Sequence, residues 1–64
     1  MTLVFHVGKK YVMDGNQEVY CREYHEEYAR FTDEDGDLEF VVIFDGDDCH
    51  HLSSGDLLVV EEAK

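Results

Sequence analysis

The chain has 64 residues, 44% of them hydrophobic, with 16 Asp and Glu against 5 Lys and Arg and a formal net charge of −11. That length fits one domain, residues 1–64, near the size at which a single core only just offsets chain entropy. The apolar content excludes an acidic disordered tail, and no stretch approaches the roughly 18 apolar residues of a membrane span. Nothing at Met1 to Val7 has the charged start and long apolar run of a secretory signal, so the expectation is a soluble cytoplasmic protein without a membrane partner. In that compartment Cys21 and Cys49 stay reduced more often than they pair.

In chain order, Thr2 to Val7 alternates with Leu3, Phe5 and Val7 on one face, and Gly8 leads into a second short β-type run, Lys9 to Met13. Asp14-Gly15-Asn16 is a turn, because Asp-Gly supplies the positive φ angles of a tight hairpin, and the chain returns through Val19 to Tyr24. The next segment admits two readings. Tyr20, Tyr24, Tyr28 and Phe31 fall at helical spacing behind a candidate Asp14 or Asn16 cap, which would place a helix at 17–31 and make the fold α+β. The preferred reading is a hairpin reversing at His25-Glu26-Glu27, with Val19 and Cys21 facing inward beside Ala29 and Phe31.

An acidic turn at Asp33 to Asp37 precedes the strand Leu38 to Phe44, and a second acidic turn follows at Asp45 to Asp48. Cys49 to Leu52 is a short strand, Ser53 to Asp56 turns again, and Leu57 to Glu62 is the last strand. Turns at intervals of about ten residues, with no proline, predict an all-β fold, a small antiparallel barrel or sandwich of about five strands. Phe40 to Phe44 is apolar at every position, so both faces of that strand leave water, and Leu57 to Val60 behaves alike. A homodimer through either run, or the surface of a partner, would cover the second face; the alternative is an internal helix at 17–31.

The charge is polarised. Residues 31–63 carry 11 carboxylates and no Lys or Arg, whereas residues 1–30 set 5 acids against Lys9, Lys10, Arg22 and Arg30. Solubility asks for a net charge of only about 2 to 8 in a small domain, so the excess costs self-repulsion and calls for a reason. In an extended strand Asp33, Asp35, Asp37 and Glu39 would share one face, and with Glu34 and, at the far end, Asp45, Asp47 and Asp48 they would present carboxylates to Lys and Arg side chains, as phosphates do. The plainer explanation for each aspartate alone is turn formation. Direct binding of nucleic acid is disfavoured by like charge.

The run Phe5-His6-Val7-Gly8-Lys9-Lys10-Tyr11-Val12-Met13, the Gly-containing turn, Val19 to Arg22, Tyr28 to Phe31, the acidic Asp-Gly turn and Ser54-Gly55-Asp56-Leu57 resemble, in order, small SH3-like β-barrel proteins of bacteriophage accessory genes. The resemblance implies an SH3-like barrel and no catalytic residues. By analogy it implies a phage-type inhibitor or regulator, including a nucleic-acid mimic with an anti-defence role, that engages a basic, nucleic-acid-binding protein surface.

Other chemistry is thinly supported. A calcium loop starting at Asp33 lacks Gly where Leu38 stands and Glu where Phe44 stands. Cys21, His25, Cys49 and His51 are weak candidate zinc ligands, at spacings poor for a tetrahedral site, so neither metal nor cofactor is expected. No nucleophile or phosphate-loop motif is present, and the expectation is a non-catalytic binding protein. The alternatives are a homodimer that sequesters a small molecule or nucleotide through Tyr20, Arg22, Tyr24, Tyr28 and Arg30, and a structural assembly component.

Overall fold

The computed structural model describes residues 4–63, and every strand in it pairs antiparallel. The strands are β1 (Lys10–Met13), β2 (Gln17–Tyr24), β3 (Tyr28–Thr32), β4 (Glu39–Asp45), β5 (Asp48–His51), β6 (Leu57–Leu58) and β7 (Val60–Glu62). They form a 7-stranded sheet in the order β6-β5-β4-β3-β2-β1-β7. The two ends of that order are consecutive in the chain, separated only by Val59, so the sheet curls into a nearly closed barrel. The described residues contain no helix, and none is long and apolar enough to cross a membrane.

Residues 17–31 form the hairpin rather than the α+β alternative. Val19, Cys21, Ala29 and Phe31 are each 0% exposed, with Cys21 opposite Phe31 across the ladder. A helix would have scattered these four positions around its axis, whereas two strands reversing at 25–27 aim all of them into one core. The ladder carries one irregularity: Cys21 opposes Phe31 and Glu23 opposes Arg30, which makes Arg22 the extra residue of a β-bulge. Arg22 and Glu23 thereby both reach outward, Arg22 toward Thr32 and Glu23 toward Arg30.

Aromatic rings fill the barrel. Phe5 meets Phe31 at 5.2 Å and Tyr11 at 5.1 Å, both edge-on, and Tyr11 meets Phe31 at 5.8 Å. Phe5 comes from a segment expected to be a strand with Leu3, Phe5 and Val7 on one face. Instead Val4 to His6 has no ladder, Phe5 turns inward and Val7 is 64% exposed, because the turn at Val7-Gly8 swings the chain; Leu3 lies outside the described residues. Past that turn, Gly8 and Lys9 exchange backbone hydrogen bonds with Cys21 and extend the β1–β2 pairing.

The C-terminal segment, expected as one strand, divides at Val59. The Val59 carbonyl accepts from the Asp14 amide at 2.8 Å, and its own amide donates to Asp14 Oδ1 at 3.3 Å. Asp14 holds this clasp from a left-handed backbone, φ 51°. Ala at position 14 keeps the backbone cost of that conformation and loses the carboxylate, so D14A lowers stability by about 1–2 kcal/mol in urea unfolding. D14G, which relieves the backbone and loses only the acceptor, costs less.

Candidate functional site

The expected carboxylate row does not exist as an extended strand. Asp33 to Asp37 folds as a turn: Asp33 Oδ1 accepts from the Asp37 amide at 2.8 Å, the Gly36 amide donates to the Asp33 carbonyl at 3.2 Å, and Gly36 sits at φ 81°. The turn preference of Asp and Gly overrides the strand geometry the row needed. Glu39 alone of the 33–39 group stands on a strand, β4. Asp45 and Asp48 face each other at the end of the β4–β5 hairpin, joined by Gly46 and Asp47, a like-charged pair across the ladder that works against the hairpin.

The turn nevertheless concentrates charge. Glu34, Asp35 and Asp37 are exposed and have no Lys or Arg ion-pair partner among the described residues. Asp33, Glu34 and Asp35 curl over β1 and β2, where with Glu18, Lys10 and Tyr20 they line an open groove of about 490 Å³. Lys10 is already paired with Glu18 at 3.2 Å. The groove therefore presents unmatched negative charge beside an aromatic ring, a setting that attracts cations and repels phosphates.

The residues of the alternative ligand site do not converge. Arg22 Nε donates to Thr32 Oγ1 at 2.8 Å and Nη2 to the Asp33 carbonyl at 3.3 Å, while its guanidinium lies 5.3 Å from the Tyr20 ring centre. Arg30 is gripped by Glu23 at 2.6 Å and Glu39 at 2.9 Å. Tyr24 packs against Phe5 and Phe44 at the core's margin, and Tyr28 stacks on His25 at 4.5 Å outside it. The Arg30 and His25 contacts hold the Glu23 carboxyl below its ordinary range, and Lys9 does the same to Glu62. These depressed carboxyls add stability above the unfolded carboxylate pKa, about 4.3, which is lost as pH falls through their folded values.

The described residues hold no group of three or more His, Cys, Asp and Glu side chains placed for a metal ion. Cys21 and His51 sit on β2 and β5, His25 on the β2–β3 turn against Tyr28, and Cys49 on β5 with its thiol toward the Leu58 carbonyl at 3.4 Å. Both cysteines are free and buried. Burial pushes each thiol up, and at Cys49 the Asp48 and Asp14 carboxylates push it further. Neither thiol of the native protein reacts appreciably with Ellman's reagent at neutral pH, and both titrate once urea is added; fast reaction in the native state would contradict this packing.

A second feature was only half legible in the sequence. On β4, Phe40, Val42 and Phe44 turn inward, leaving Val41 and Ile43 outside. The antiparallel register sets Tyr28 opposite Ile43, and the Leu52 amide donates to the Val41 carbonyl at 2.9 Å, so an apolar outer face assembles from three segments. The other apolar run alternates: Leu58 is buried, whereas Leu57 and Val59 are exposed.

The fold thus defines a small, all-β antiparallel barrel with an acidic turn and, among the described residues, an exposed apolar outer face on β3 and β4. Comparison of the chain with protein families, curated proteins and solved structures finds no match.

Proposed function

We propose that the barrel is a non-catalytic acidic binding protein whose turn carboxylates engage a basic protein surface of the kind that binds nucleic acid, and so inhibit or regulate it as a nucleic-acid mimic of the phage type. The observation that carries this reading is the exposed trio Glu34, Asp35 and Asp37, held on an Asp33-braced turn and faced by no Lys or Arg of the described chain. Preorganised carboxylates offer Lys and Arg the target that phosphates offer, without the cost of ordering a flexible acidic tail.

The nucleotide-sequestering alternative is less well supported. Arg22 and Arg30 are committed to partners within the chain, and Tyr20 lies beside Asp33 to Asp35, whose charge opposes a phosphate.

The test is capture from a bacterial lysate on the immobilised protein, with retained proteins eluted between about 0.1 and 0.5 M salt and then challenged with DNA. Basic nucleic-acid-binding proteins, released by salt and displaced by DNA, are the expected result. A partner that salt and DNA leave in place would count against mimicry.

A further inference from the structure

We infer that the outer face of β3 and β4 with Leu52 is the docking seat for an apolar side chain of that basic partner, a Phe- or Leu-type anchor flanked by Lys or Arg. This rests on the reading above and adds to it where the partner's residence comes from. The seat is a shallow cavity of about 330 Å³ lined by Glu27, Tyr28, Val41, Ile43 and Leu52. Four of those five side chains are apolar or aromatic, and Tyr28 and Ile43 are each 40% exposed and Leu52 58% exposed. His25 stacks on the Tyr28 ring at 4.5 Å, and the exposed parts of Tyr28, Ile43 and Leu52 form the open remainder of the seat.

Charge selects the occupant. Glu27 lines the seat, and Glu39 borders the adjoining hollow of about 190 Å³ that shares Val41 and Leu52. The one guanidinium beside the face, Arg30 opposite Val41, is offset by Glu23 and Glu39 together. The rim is therefore net negative around an apolar centre. A second copy is a poor fit: a symmetric contact uses the same patch twice, and it would bring two such rims together on chains of net charge −11 each. A partner segment with an apolar centre and cationic flanks matches both features at once. The division of labour is physical: exposed charges speed encounter and make it salt-dependent, whereas a desolvated apolar anchor slows departure.

Two short Lys-rich peptides of identical charge, one with a central Phe and the other with Ala there, provide the test by NMR titration of the isotope-labelled protein at low and moderate salt. The Phe peptide is expected to bind about tenfold more tightly, with its extra shifts on Tyr28, Val41, Ile43 and Leu52. I43S and, separately, L52S should erase that tenfold while leaving the Ala peptide's affinity unchanged; both positions are exposed, and a dispersed spectrum verifies the fold. Equal affinity of the two peptides, still lost with salt, would overturn the anchor seat and leave the charge reading standing. Binding of neither peptide at low salt would overturn both. A free protein that sediments as a dimer, and as a monomer once I43S is introduced, would assign the face to a second copy and overturn the inference as well.

Discussion

Phe31→Ala moves the urea unfolding transition far below the parent's midpoint, and at the lower end of the stability expected for this length it leaves no folded state at all. Phe31 is fully buried on β3 and is the ring on which both Phe5 and Tyr11 rest edge-on. Truncating a buried Phe costs about 3–5 kcal/mol, from lost transfer energy and from the cavity left behind. A domain of 64 residues holds only about 3–10 kcal/mol in total, and small domains lie toward the lower end. The loss thus consumes a third of the stability at best and all of it at worst. F31L, which keeps most of the volume, costs under about 1.5 kcal/mol and remains folded, and I43S on the outer face costs about 1 kcal/mol, from lost strand preference and partial burial. Far-UV circular dichroism through a urea titration separates the three. A cooperative F31A transition close to the parent's midpoint would mean that Phe5 and Tyr11 close the core without it.

What could be read from the chain follows from how far each signal reaches. The β2–β3 hairpin was legible because Val19 with Cys21 and Ala29 with Phe31 each keep a two-residue period on either side of the reversal at His25 to Glu27. The bulge at Arg22 has no such mark: neither Gly nor Pro stands there, and the register shift shows only once β3 is in place. The break at Val59 depends on Asp14, 45 residues away, so Leu57 to Glu62 reads as unbroken until the barrel closes. The acidic turn expected at Asp33 to Asp37 is the one observed, and it is what denies these carboxylates an extended-strand row. Asp33 and Gly36 form a turn before a strand can extend, and alternation means nothing inside a turn. The apolar run at Phe40 to Phe44 correctly signalled a second face to be accounted for, but Tyr28 and Leu52 join that face through register and loop closure, which no window of sequence contains.

The triple charge reversal E34K/D35K/D37K is expected to cost the basic partner about a hundredfold in affinity at low ionic strength, mostly in association rate, while making the barrel more stable. Asp33 is left alone because its carboxylate braces the turn; at Asp37 the bonded group is the amide, which the substitution spares, and Gly36 keeps its positive φ. Each reversal adds two charges, so the three move the net charge from −11 to −5 and relieve self-repulsion. A gain of about 1 kcal/mol would raise the melting temperature by about 4–8 °C in a domain of this size. Salt acts on the parent in the same two opposed directions, weakening the complex and stabilising the free protein, because screening reaches exposed carboxylates whether they face a partner or one another. This opposition separates recognition from architecture. If the acids were there only to build turns, the triple variant would lose stability and keep whatever affinity the protein has, and added salt would leave the melting temperature unmoved. A rise in melting temperature accompanied by loss of binding instead identifies carboxylates that the fold tolerates at a cost and that only a cationic partner can offset.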